Sequence, residues 1–144
     1  MASPRFSSPP HKGAARPRRT FTLAQANSTL PLVKRIVRDI VDAHQRISQA
    51  QQRMEKAASA RDAAAIQLEM EGDLDRLRDY LEELSAVGGQ LKDAELGLID
   101  FLGRHQGREI FLCWKLGEER IEYWHELHAG FAGRLPTSLL EETA

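Results

Sequence analysis

Apolar residues along this chain follow two helical rhythms and then a strand rhythm. Val33, Ile40, Ile47 and Met54 recur every seven residues, and Ile36, Ala43, Ala50 and Ala57 fill the matching second row. Alternating steps of three and four keep both rows on one face of a helix, so a long amphipathic helix is predicted from Leu32 onward. Its outward positions are mainly basic, with Lys34, Arg35, Arg38, Arg46, Arg53 and Lys56. A second seam runs through Ile66, Met70, Leu74, Leu77, Leu81 and Leu84, and its flanks are mostly acidic from Glu69 to Glu83. Two seams of similar length with complementary flanks predict an antiparallel helical hairpin. The connection, Ala57 to Ala65, has no glycine or proline and offers only Ser59 and Asp62 as caps. One continuous helix that dimerises through its seam as a coiled coil is therefore the competing expectation.

The flanks of this helical region carry start and stop signals. Thr22 followed by Gln25 fits a capping box, with Phe21 in the position of a hydrophobic staple, so a short helix is expected from Leu23. Pro31 interrupts it, and Ser28 or Thr29 can cap a second start. Gly88–Gly89 ends the second long helix.

Beyond that point the period changes to that of strands. Leu96 to Leu102 reads as an apolar strand with a single carboxylate, Asp100. A loop from Gly103 to Gly107 leads into a second strand, Arg108 to Leu116, rich in β-branched and aromatic residues. Gly117 to Arg120 forms a turn before a third strand, Ile121 to Glu126, and Gly130 to Ala144 reads as an irregular closing segment. The expected fold is α+β, mainly α: a long antiparallel helical hairpin packed with a small antiparallel β-meander, in a single domain over 21–140.

A turn centred on Glu118–Glu119 would set Lys115 opposite Glu122, Trp114 opposite Tyr123, Cys113 opposite Trp124 and Leu112 opposite His125. His125 then falls on the face of Ile110, Leu112 and Trp114, where a buried imidazole needs a hydrogen-bonding partner. Asp100 on the neighbouring strand is the candidate.

Composition narrows the function classes. At 144 residues, with 42% hydrophobic and 28% charged residues, the chain has the size and balance of one globular domain. No apolar run approaches the roughly 18 residues of a membrane span, and no secretory leader is expected. A single cysteine excludes an internal disulfide, which makes a reducing cytoplasm the expected location. The net charge of −1 hides an asymmetry, because residues 1–20 carry Arg5, Lys12, Arg16, Arg18 and Arg19 with no acid. This proline-rich basic segment is expected to be a disordered tail, with an organellar transit peptide as the alternative. Nucleic acid is not expected as a partner except through residues 1–20.

The residues with chemical potential crowd into Gly107 to Arg134, which holds both tryptophans and the only cysteine. An Asp100–His125 pair could be a general base with its orienting carboxylate, and the plain alternative is a structural pair that fixes register. Cys113 could be a nucleophile but reads more simply as a small packing residue. Glu122, His125 and His128 have metal-capable side chains at steps of three, a spacing that shares a face on a helix and not on a strand. Arg108 and Arg134 could bind an anion or pair with surface acids. Glu118 is a further candidate beside His125 and Asp100.

Three stretches also resemble a known family. The words GLIDF (Gly97–Phe101), GREIFLCWKLGE (Gly107–Glu118) and YWHELHAGFAGR (Tyr123–Arg134), with FTLAQANSTLP at Phe21–Pro31, are similar to a bacterial family of unknown function, number 2203. The likeness covers about residues 21–136 and includes Asp100, Arg108, Glu118, His125 and Arg134 among its motif positions, while His128 lies outside the pattern. Leu102 stands where the family usually has proline, so the first strand is expected to run longer. The resemblance implies membership and no particular activity. The leading expectation is a small, non-enzymatic protein without a cofactor, which binds a protein partner or a second copy through its helical surface. The alternative is a metal- or small-ligand-binding protein, with hydrolase activity as one form, centred on His125.

Overall fold

Thr22 and Gln25 satisfy each other's backbone N–H groups at 3.0 and 2.9 Å, and this capping box opens helix α1 (Leu23–Ser28). The structure, a computed structural model, describes residues 19–143. The basic tail expected over residues 1–20 lies almost wholly outside that range. Thr29 then begins α2 (Leu30–Glu55), with Pro31 in its first turn, where a missing N–H costs nothing.

The chain leaves the helix at Lys56 and re-enters one at α3 (Ala60–Val87), where the Ser59 hydroxyl accepts from the Asp62 N–H at 3.1 Å. Two long helices packed together, rather than one continuous rod, are the outcome. Arg46 and Arg53 of α2 reach Asp73 and Glu69 of α3 at 3.1 and 2.8 Å. On α2 the expected seam is the buried one: Val33, Ile36, Val37, Ile40, Ala43, Ile47 and Ala50. On α3 the expected seam is buried or half-buried at Ile66, Met70, Leu77, Leu81 and Leu84, but Leu74 is 44% exposed and Asp73 takes its place on the buried side. Two arginines, Arg46 and Arg76, make that burial tolerable.

Gly88 stops α3 in a left-handed turn at φ 108°, its N–H returning to Leu84 and Ser85. Five strands follow: β1 (Gly89–Asp93), β2 (Leu98–His105), β3 (Arg108–Lys115), β4 (Tyr123–Glu126) and β5 (Leu135–Pro136). They form one antiparallel sheet in sequence order, and a last helix, α4 (Ser138–Thr143), follows β5. The fold is thus mixed α and β, with a meander larger than expected. Strand β2 runs past Leu102 to His105, and the loop expected at Gly103 to Gly107 is a two-residue turn at Gln106–Gly107 with φ of 52° and 81°.

Alternation along the strands sorts the sheet into two faces. Ile99, Phe101, Ile110, Leu112, Trp114 and Trp124 join Val33, Ile36, Val37, Ile40 and Leu84 in the core between sheet and helices. Phe21 closes one end of that core, with its N–H donating to the Leu102 carbonyl at 2.8 Å and its ring 5.1 Å from that of Phe101. Among the described residues no helix is long and apolar enough to cross a membrane.

The register of β3 with β4 differs by one residue from the expectation. Cys113 pairs with Tyr123, Leu112 with Trp124 and Phe111 with His125. The seven residues between these strands do not form a tight hairpin turn. Their path is held from outside by the Asn27 side chain, which accepts from the Ile121 N–H at 2.8 Å. From within, the Trp114 indole donates to the Glu118 carbonyl at 2.9 Å. A slip of one residue reverses every side chain. Trp124 therefore enters the core, and His125 turns to the opposite face.

Candidate functional site

Leu98, Asp100 and Leu102 of β2, Phe111, Cys113 and Lys115 of β3, and Tyr123 and His125 of β4 point away from the helices. Such a face would ordinarily meet water. Here the chain after β4 turns back over it, so that Asp100, Cys113 and His125 are 2%, 0% and 3% exposed. Leu127, Gly130 and Phe131 of that roof, with Lys92 from β1, line a half-open cavity of about 150 Å³ beside Asp100 and His125. The Lys92 ammonium lies 4.8 Å over the Phe111 ring, which in turn contacts the His125 ring at 5.6 Å.

The hydrogen bonds of His125 define its chemistry. Nδ1 lies 2.7 Å from the Glu126 carbonyl oxygen, which can only accept, so Nδ1 carries a hydrogen and donates. In the neutral ring Nε2 is then an acceptor, yet it faces Asp100 Oδ2 at 3.0 Å. Two acceptors at that distance require a proton or a cation between them. The second carboxylate oxygen, Asp100 Oδ1, is buried without a hydrogen-bond donor. Cys113 sits directly across from Asp100 on β3, and potential ligand atoms of Asp100, Cys113 and His125 all lie within 4.8 Å of one another. Burial pushes the Cys113 thiol up to about 12; the Asp100 carboxylate adds to the shift and Arg134 opposes it.

A second polar group flanks the cysteine. Arg134 donates to Glu118 Oε2 at 2.6 Å, and Glu118 Oε1 accepts from the Lys115 N–H at 3.0 Å. The guanidinium lies 4.0 Å over the Tyr123 ring and 4.8 Å over that of Phe131, and its Nε is buried without an acceptor. This arginine ties the roof to the sheet beside Cys113.

Of the residues singled out from sequence, Asp100 and His125 meet directly, and Glu118 meets Arg134. His125, expected on the face of Ile110, Leu112 and Trp114, lies on the opposite face with Asp100. Arg108 forms an exposed ion pair with Glu126 near the β2–β3 turn, away from the cavity. Glu122 is exposed outside β4, and His128 is exposed in the turn that follows it, so neither joins His125 in a ligand set. The helical spacing that would have aligned them does not exist in a strand. Cys113, which reads from sequence as a small packing residue, stands on the face of His125 because the observed register pairs it with Tyr123.

Both ring nitrogens of His125 thus have a partner, one on the main chain and one on Asp100. These observations define a small α and β protein with a roofed polar site on the outer face of its sheet. The chain belongs to the family described as Uncharacterized conserved protein (DUF2203), whose pattern matches residues 19–137 and so takes in every residue of the site. Neither the curated proteins nor the solved structures yield a match to this chain.

Proposed function

We propose that this chain is a small-ligand-binding protein whose site is the roofed cavity at His125 and Asp100. One observation carries the reading: Asp100 Oδ1 is a buried carboxylate oxygen with no donor, next to a cavity of about 150 Å³. An unpaired buried polar atom costs about 1–3 kcal/mol, and a polar ligand would recover that cost on binding. At about 30 Å³ per water, the volume suits an ion or a molecule of a few heavy atoms.

The test is a titration of the isotopically labelled full chain with zinc chloride, inorganic phosphate and acetate, followed by NMR. Saturable shifts confined to the His125 ring and the Asp100 and Leu127 amides are expected with at least one of them. Shifts that are absent with all three, in a folded protein, reject the reading.

A second reading has one favourable observation. Leu68 and Leu74 of α3 are 71% and 44% exposed, and a partner helix or a second copy docking there would cover them. Light scattering decides the self-association form, since a strict monomer across micromolar concentrations excludes it.

A further inference from the structure

We infer that the ligand of this site is a divalent first-row cation of the zinc type, bound by a carboxylate oxygen of Asp100, Cys113 Sγ and His125 Nε2. The inference rests on the ligand-binding reading above and makes it specific.

The first argument is a count of acceptors. The Nε2 lone pair, Oδ2 and the undonated Oδ1 converge in a buried space, with the sulfur of Cys113 beside them. A single proton shared between Nε2 and Oδ2 satisfies that pair and leaves Oδ1 only the weak S–H donor of Cys113 beside it. One divalent cation satisfies the imidazole, the carboxylate and the sulfur together.

The second argument is geometric. Tetrahedral coordination with bonds of roughly 2.0–2.3 Å sets ligand atoms about 3.3–3.7 Å apart. The atoms here lie within 4.8 Å of one another, with Nε2 and Oδ2 already at 3.0 Å. Side-chain rotations that move atoms by about 1 Å are enough to close the set. Three strands supply the ligands, so backbone hydrogen bonds hold all three in place. The donation of Nδ1–H to a main-chain carbonyl is also the arrangement that orients metal-binding histidines.

The donor set identifies the class of ion. One sulfur, one imidazole and one carboxylate suit zinc and its neighbours rather than calcium or magnesium, which take oxygen ligands. On binding, the Sγ–H proton leaves to solvent as the sulfur–metal bond forms. Three protein ligands leave a fourth position. Asp100 and His125 line the cavity, so that position opens toward a space where water or a small ligand can sit.

Cobalt(II) titration of the full chain, stripped with chelator and refilled under reducing conditions, tests the assignment. One equivalent is expected to bind with a sulfur-to-cobalt charge-transfer band and intense visible bands of four-coordinate cobalt, and zinc should displace it. Cys113→Ser, close to isosteric, should lose the sulfur band. His125→Gln and Asp100→Asn should weaken binding by more than the roughly 10–100-fold typical of outer-shell partners. A sulfur band that survives Cys113→Ser, or affinity unchanged in both other variants, overturns the metal site. Binding of phosphate or acetate at His125 without any binding of cobalt or zinc rejects the metal and keeps the ligand reading. If none of these probes reaches His125 in the folded protein, both fall.

Discussion

Arg134 and Glu118 meet at 2.6 Å between the roof and the β3–β4 loop, and both side chains are largely out of water, at 11% and 21% exposure. Removing one partner of a buried pair strands the other. Glu118→Ala should therefore cost near the lower end of the roughly 3–5 kcal/mol seen for such losses. Urea unfolding would measure it, and near-ultraviolet circular dichroism should report loosened packing at Tyr123. Glu118→Ala combined with Arg134→Leu should cost less than Glu118→Ala alone, since no charge is then left behind.

Asp100→Ala and Asp100→Asn should differ in a way that separates stability from binding. Alanine leaves His125 Nε2 buried without a partner, for a loss of about 1–3 kcal/mol in thermal or urea unfolding. Asparagine supplies an N–H that can donate to Nε2, so stability should be nearly retained while metal affinity falls. Equal stability losses in the two variants would contradict this account of the pair.

The packing of α2 on α3 should weaken in acid. The hydrogen bond from Arg76 holds the Asp73 carboxyl below its ordinary range against the opposing effect of burial, and Arg46 adds to it. The folded state thus favours the charged carboxylate more than the unfolded chain does. Its contribution is complete above the ordinary carboxylate pKa of about 3.9 and is lost as pH falls through the lower folded value. Asp73→Asn should be less stable at neutral pH and should flatten this acid limb in pH-dependent unfolding curves.

Gly88→Ala should be among the more damaging single-methyl additions. The position has φ of 108°, and a Cβ there would stand 2.3 Å from Phe21 Cζ, inside the core. Left-handed strain alone costs roughly 1–2 kcal/mol. The melting temperature should fall by more than that strain predicts, because the Phe21 ring has to move off Phe101.

Much of the helical layer was legible because its signals are local. The Thr22–Gln25 box, the seven-residue spacing on α2 and the Gly88 stop each act within a few residues. The place of Asp73 in the α3 seam was not, because its burial depends on Arg46 arriving from another helix as well as on Arg76 of its own. The sheet register failed for a related reason. Asn27, ninety-four residues before Ile121, holds the loop that sets which face His125 takes. No local turn rule contains that contact. Strand β1, Gly-Gln-Leu-Lys-Asp, has too few apolar residues to announce itself, and β5 is two residues ending in Pro136. The Asp100–His125 contact was readable from the strand positions, while the place of Cys113 on the same face as His125 depended on the register and so was missed with it.

The edges of the sheet restrict how anything else can approach it. At one side the pairing of β1 is broken between Leu91 and Asp93, and the length of β2 beyond β1 is met by the bridge from Phe21 to Gly103. At the other side β5 is only Leu135 and Pro136, and a proline has no N–H to offer. Among the described residues, the open borders are therefore the five residues of β1 and the two of β5, so a foreign strand, whether from a peptide, a misfolded neighbour or a growing fibril, finds only a short template.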